Sequence, residues 1–382
     1  MQQIRFKKSV YQAVANMEER SLMKDGDVVH RPYRSRMRVT TYTRGTSATL
    51  QDDSGTDESL TIDQSKIIAF YVDDLDKLQS KYEIVNRFAD DAATELEIYI
   101  DGQFLGEIAN ATNTVDAGDV GGTSGTSISL STSNVVQMFA AAAKKLNRQN
   151  IPQEGRFAVV SPTVYQTLVE RLESKDTTVG DQAGMNGKVG IKFMGFEVYL
   201  SNNLYWTGKW TPADQPSNSD TLTINGVTLT FVTGTPTNPG DIKSETSTAV
   251  TLDNLVAFLN DPASSISGKS VALTSVSNLR ALSGAVATDG TTYLGLAIKG
   301  AGEIDVSASS AADVWSLETV HQYFGLSGQS TDLVIQKMPS VEFRMPELKL
   351  GRNVLVSTLY GLKTFAEGAL AMVDVKVDSS TF

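Results

Sequence analysis

Only two histidines, His30 and His321, and no cysteine stand among the 382 residues, which leaves little for metal or nucleophilic chemistry. A zinc centre needs several His, Cys or carboxylate ligands brought together, and a Ser–His–Asp array needs an imidazole beside its nucleophile. Without cysteine there is no disulfide framework and no thiolate. His321, within Val320-His321-Gln322-Tyr323-Phe324, reads as a packed or edge histidine. The acidic pairs Asp52-Asp53, Asp73-Asp74 and Asp90-Asp91 would hold a divalent cation only if their side chains converged. Adjacent residues on a helix or exposed turn point apart and are solvated. Gly118-Asp119-Val120-Gly121-Gly122 and Gly300-Ala301-Gly302 match neither phosphate-binding signature and read as loops. We therefore expect no catalytic residue, no cofactor and no metal.

Composition narrows the class further. At about 150 residues per domain, this length suits two or three domains, and a hydrophobic content of 41% is too high for intrinsic disorder. No apolar run approaches the roughly 18 residues that cross a bilayer, and the N-terminal stretch lacks the apolar segment of a secretory signal. Net charge is −11 but unevenly spread: residues 1–44 carry +6 and the remainder −17. A basic arm on an acidic body suits charge-steered contact with nucleic acid or with another copy of that body. The overall acidity argues against a sequence-specific nucleic-acid binder.

The elements begin with an arm over residues 1–30. Two extended segments are expected next, Arg36–Leu50 and Ser59–Val72, rich in Thr, Val, Ile and Tyr. The polar turn 51–58 between them has no apolar anchor, and a lone hairpin is marginal in water, so it must lie on something else. A long helix follows, to about Ala109 and spanning about 50 Å. Its stripe is Leu75, Leu78, Tyr82, Val85, Ala89, Ala92, Leu96 and Tyr99. Such a stripe can mark a coiled coil. The alanines, with Ala93 and Ile100 widening the face, favour packing on a sheet. Residues 112–130 read as a flexible loop, Val135–Leu146 as a helix, and Arg156–Val160 as a buried strand. Ser161-Pro162 supplies an N-cap and a first-position proline for the next helix. After Trp206 the chain turns Thr- and Ser-rich. Leu222, Ile224, Val227, Leu229 and Phe231 alternate with threonines about Asn225-Gly226, a type I′ hairpin signal. We expect residues 206–330 to form a self-contained inserted α+β domain, after which strands resume the earlier sheet.

Several stretches then become telling in their order. They are Arg38-Val39-Thr40-Thr41-Tyr42, Ile67 to Asp76, Gly155 to Pro162, Gly195 to Asn203, and Leu359-Tyr360-Gly361-Leu362-Lys363-Thr364-Phe365. In this sequence of parts the chain resembles the major capsid proteins of tailed bacteriophages, with the HK97-like shell fold. The likeness covers about 1–204 and 331–382, and its specificity lies in the order of the pieces, none of which is catalytic.

The resemblance implies an α+β fold divided into an N-terminal arm (1–35), an extended hairpin loop (36–72) and a peripheral domain with the spine helix (73–132). An axial domain (133–204), an insertion domain (205–330) and C-terminal strands completing the core (331–382) follow. It implies a structural, non-enzymatic protein of the virion, assembled in the host cytoplasm from hexamers and pentamers of itself. Its partners would be a separate scaffolding protein, a portal and non-specifically bound double-stranded DNA, with no membrane. The hairpin would bridge subunits, its acidic tip (Asp52, Asp53, Asp57, Glu58) meeting the basic arm and hairpin base of a neighbour (Arg31, Arg34, Arg36, Arg38, Arg44). The alternatives are an encapsulin-like nanocompartment shell, which shares this fold, and a secreted β-rich adhesin, against which the spine helix and missing signal segment count.

Overall fold

The computed structural model describes residues 9–17, 28–33, 37–47, 50–51, 56–73, 84–173, 192–310, 312–345 and 350–379. The chain divides into two compact units, one of residues 1–15, 97–330 and 366–382, the other of residues 16–96 and 331–365. The division falls inside the long helix Ile84–Gly106. At 23 residues this helix spans about 35 Å; positions 74–83, where its start was expected, lie outside the described residues.

The larger unit is built on a nine-stranded sheet. Its organising strand, Val314–Leu326, pairs antiparallel with Tyr205–Thr211, Arg156–Val160 and Met372–Asp378. Every residue of Arg156–Val160 is buried, as expected of a short apolar run inside a sheet. It feeds the helix Pro162–Glu173, where the Ser161 hydroxyl accepts from the Val164 N–H at 3.4 Å, and then pairs parallel with Phe196–Leu200. Phe139, from the helix Val135–Arg148, meets Phe324 and Phe193 edge-on at 5.0 and 5.1 Å, and Phe196 meets Phe324 at 5.2 Å. These rings centre the core.

The Thr-rich hairpin forms as its sequence dictates. Thr221–Ile224 pairs with Val227–Val232, and Asn225 and Gly226 turn at φ 50° and 76°, the two positive values of a type I′ turn. Leu222, Ile224, Val227, Leu229 and Phe231 are buried. With Asp241–Lys243 and Val306–Ala308 they make a four-stranded sheet. The span 206–330 is not closed on itself, however. Tyr205–Thr211, Ala285–Asp289, Leu294–Ile298 and Val314–Leu326 are all strands of the nine-stranded sheet. A change of composition reports which faces meet water, and strand pairing ignores it.

Residues 112–130 are also more ordered in pattern than a plain loop. Asp116 accepts hydrogen bonds from the N–H groups of Gly118 and Gly125 at 2.9 and 2.7 Å and caps the 3-10 turn Ala117–Val120. The Gly125 bond leads in holding its carboxyl below the ordinary carboxylate range. Asp116 thus contributes stability above its unfolded pKa of about 4, and loses it as pH falls through the lower folded value. Asp116→Asn should melt earlier than the parent at neutral pH, with the gap closing in acid; thermal unfolding followed across pH measures this.

Two glycines near the end of the long helix owe their identity to distant contacts. A Cβ at Gly102 would lie 2.8 Å from the Gly300 Cα, a backbone atom, whereas one at Gly106 would meet only the flexible Lys299 side chain. Helix propensity alone favours Ala over Gly by about 1 kcal/mol. We expect Gly102→Ala to destabilise despite that gain and Gly106→Ala to be neutral or stabilising, as read by urea denaturation. Equal gains at both positions would refute the close approach.

In the smaller unit Gly351–Lys363 lies between Asp332–Arg344 and Gln64–Asp73 in an antiparallel sheet. Ala89, Ala92 and Leu96 of the long helix pack on Val72, Val354 and Val356, joined by Ile68, Phe70 and Ala93. Over Ala89–Leu96 the stripe therefore serves sheet packing; Leu75, Leu78 and Tyr82 lie outside the described residues.

The projecting hairpin differs from expectation. Its ladder is Val28–Tyr33 against Thr56–Thr61, so strand begins within the segment read as arm. Residues 37–47 and Leu50, expected as strand, carry no strand pairing and are exposed, as is Gln51 of the expected turn.

Candidate assembly surface

The hairpin is tied down at its base by one buried carboxylate. Asp332 opens the strand Asp332–Arg344 and is 3% exposed. It receives the Arg31 guanidinium through two hydrogen bonds, of 3.1 and 3.2 Å, and the Asn16 amide at 2.5 Å. The Arg31 guanidinium also lies 4.5 Å over the Phe365 ring. Beneath it Leu60, Ile62, Val334 and Phe365 form a small apolar cluster. A two-pronged guanidinium–carboxylate pair fixes direction as well as distance. Arg31, expected to face a neighbour, thus contributes within its own chain to the angle at which the hairpin leaves its sheet.

The remaining predicted contact residues divide by position. Arg34, Arg36, Asp52 and Asp53 lie outside the described residues. Asp57 and Glu58 sit on the ladder strand Thr56–Thr61, with Asp57 Oδ2 2.7 Å from His30 Nδ1. Arg38 and Arg44 lie in the exposed loop. There the Gln51 side chain accepts from the Arg38 N–H at 2.8 Å and donates to the Arg38 carbonyl, closing the loop's neck. Of the described residues, Arg38 and Arg44 lie in the loop, while Arg31, Asp57 and Glu58 lie on the ladder, where Arg31 stands opposite Glu58.

What charge reasoning passed over is apolar. In this same loop Met37 is 83% exposed, Val39 97%, Tyr42 67% and Leu50 93%. The signal was present in Arg36-Met37-Arg38-Val39, where large apolar residues alternate with arginines.

No competing chemical site emerges among the described residues. None of their His, Cys, Asp or Glu groups is arranged to hold a metal ion, and no helix is long and apolar enough to cross a membrane. His321 is buried, with Nδ1 2.8 Å from Asp374 and Nε2 2.9 Å from the Thr207 hydroxyl. The order Asp–His–Thr is that of a nucleophile array, yet these residues belong to three paired strands. The imidazole pins those strands together. Tyr205 lies against it at 4.9 Å, its hydroxyl pushed up by burial and then by Asp374.

Comparison with known proteins resolves the class. Residues 57–258 match a family model described as phage capsid protein. The chain belongs to the phage capsid protein family. Among solved structures, one from Mycobacterium phage Che8 aligns at TM-score 0.60 and 16% identity, covering 100% of this chain and 95% of that one. The capsid of cyanophage P-SCSP1u aligns at 0.55 and 12%, covering 98% and 89%. The mature capsid of bacteriophage PhiM1 aligns at 0.53 and 10%, covering 99% and 89%. Comparison with curated proteins gives no match.

At these identities the solved structures speak for the fold, the HK97-like shell fold. This phage capsid protein is a structural component of the virion capsid. Its hairpin anchor can be tested without assembly. Arg31→Ala leaves Asp332 with fewer donors and should cost about 1–3 kcal/mol, a range that allows for Arg31 being 40% exposed. Arg31→Lys keeps the charge and should recover only part of that loss, since an ammonium cannot make the paired bonds. Urea titration of the dissociated subunit measures both.

Proposed function

We propose that this protein is the major shell subunit of a tailed-phage head, assembling as hexamers and pentamers into an icosahedral container for double-stranded DNA. The exposed loop carries the reading. Met37, Val39, Tyr42 and Leu50 leave large apolar surfaces in water at the end of a hairpin, and burying each contributes about 1.5–3 kcal/mol. Several large apolar side chains exposed in one loop suit an interaction site, and in a chain that builds a shell the partner is another copy of itself. Arg38 and Arg44 flank these residues. Against a body whose residues beyond position 44 carry a net −17, they would steer the loop on approach and set its register.

The remaining predicted contacts follow from this arrangement. Arg34, Arg36, Asp52 and Asp53 adjoin the loop in sequence, and Asp57 and Glu58 line its ladder, where they would meet the rim of the same interface. A separate scaffolding protein, a portal and the packaged DNA would be the other partners, with assembly in the host cytoplasm. DNA contact would be non-specific and sensitive to salt. The residues that form an added module are those of the four-stranded sheet and the helix Thr248–Asn260. The strands around them belong to the shell domain.

The double substitution Val39→Glu, Leu50→Glu separates assembly from folding. Both side chains are more than nine-tenths exposed, so the subunit's melting temperature should stay unchanged while shells disappear. Negative-stain microscopy of the expressed chain reads the outcome. Normal shells from the double variant would exclude the loop as the subunit bridge.

A further inference from the structure

The described ladder of the projecting hairpin runs from Val28 opposite Thr61 to Tyr33 opposite Thr56. Its register can be carried outward by count. Five residues farther along each chain stand Arg38 and Gln51, and these two residues meet. The Arg38 N–H donates to Gln51 Oε1 at 2.8 Å, and Gln51 Nε2 donates to the Arg38 carbonyl. Five more residues reach Thr43 and Thr46, which meet as well. The Thr46 N–H and hydroxyl both donate to the Thr43 carbonyl, at 3.1 and 2.7 Å. Gly45 takes the third place of that turn at φ 89°, the sign a type II turn requires there. Ladder, neck and apex therefore keep one register, although residues 37–47 and 50–51 form no strand.

In the same count Val39 stands opposite Leu50, one residue beyond the neck. At 97% and 93% these are the most exposed of the large apolar side chains among the described residues. A slip of one residue would set Val39 against Gln51 and separate the apolar pair. A carboxamide carries the donor and acceptor of a peptide unit on a side chain, so Gln51 holds the register where the backbones are unpaired. Residues 39–50 are thus closed into a loop before contact. Ordering them only on contact would cost conformational entropy.

We infer that Gln51 is the register clamp of the subunit contact, holding Val39 and Leu50 as a joint apolar anchor for a second copy of this chain. The inference rests on the reading of the loop as the subunit bridge and adds the residue that shapes the loop for binding. Gln51 is a positioning residue: it acts through the order of the loop.

Gln51→Ala removes both bonds and leaves every apolar side chain of the loop in place. Gln51 is exposed, so the melting temperature of the dissociated subunit should not move. Shell formation, followed by light scattering against subunit concentration, should need about a five-fold higher concentration, the effect expected of one or two exposed hydrogen bonds. A second measurement needs no assembly. In the full-length chain, held dissociated, the Arg38 amide should exchange hydrogen several-fold more slowly in the parent than in Gln51→Ala. Equal exchange in the two chains overturns the clamp, whatever the shells do. A fall in melting temperature would make Gln51 a stabilising residue of the subunit and overturn it too. If Gln51→Ala assembles like the parent while Val39→Glu, Leu50→Glu does not, the clamp is refuted and the loop remains the bridge. If the double variant also assembles normally, the reading of the loop as bridge falls with it.

Discussion

The larger unit depends on one strand having three partners. Val314–Leu326 takes Tyr205–Thr211 along its first part, Arg156–Val160 along its last, and Met372–Asp378 over Thr319–Gly325. These partners come from the middle of the chain and from its end, so the sheet cannot close until almost all of the sequence is present. Side chains reinforce that closure. Phe324 enters the aromatic core with Phe139 and Phe196, and His321 bonds across to Thr207 and Asp374. A backbone ladder alone would tolerate slippage. Buried polar bonds at defined positions specify the register, because a slip of one residue would leave each of them unpaired.

The smaller unit meets the opposite problem, which is to hold out a hairpin that has almost nothing of its own to bury. Two strands alone are marginal in water. Leu60 and Ile62 gain a core only by packing on Val334 and Phe365, and Arg31 and Asn16 add directed bonds to Asp332. Stability is thus concentrated at the base, and the loop beyond is left exposed with its apolar residues. The anchor thus sets the hairpin's direction from within its own chain, and the stabilising burial does not extend to the loop.

What could be read from residues alone follows the range of the interactions. Asn225-Gly226 turned as its local chemistry requires, Ser161-Pro162 began a helix, and Ala89, Ala92 and Leu96 packed on a sheet as their spacing implied. The misplaced hairpin has a non-local cause. Val28–Tyr33 meets Thr56–Thr61 across a long loop, and Pro32 within the first strand removes a donor and weakens its signature. The Thr-rich pattern of 37–47 looks like strand because β propensity measures fit to a half-buried pleat, and here no pleat is supplied. Gly102 and Gly106, poor helix formers by local propensity, stand where Gly300 and Lys299 come close, a contact no local pattern announces. The loop's charges stand out in the sequence, whereas its four exposed apolar side chains, Met37, Val39, Tyr42 and Leu50, stand out only once the fold leaves them uncovered by the described residues.

A shell subunit must be adhesive where contact is intended and inert elsewhere, and two of its sheet edges carry features that discourage pairing with another strand. Along Asp332–Arg344 the edge carries Pro339, which has no N–H to offer, and the ladder register shifts between Ile335 and Lys337 and again across Pro339, between Lys337 and Ser340. Farther on, Glu342 pairs with Lys337 and Arg344 at 3.1 and 3.2 Å, bonds that keep its carboxyl below the usual range. Charges on an edge make pairing with an identical edge unfavourable. Ala285–Asp289 has no such charges in its first four residues; the helix Thr248–Asn260 lies alongside it instead, with the Asn260 amide bonded to both backbone groups of Ala287. The two edges thus reach one result by different chemistry, repulsion in one and occupied bonds in the other.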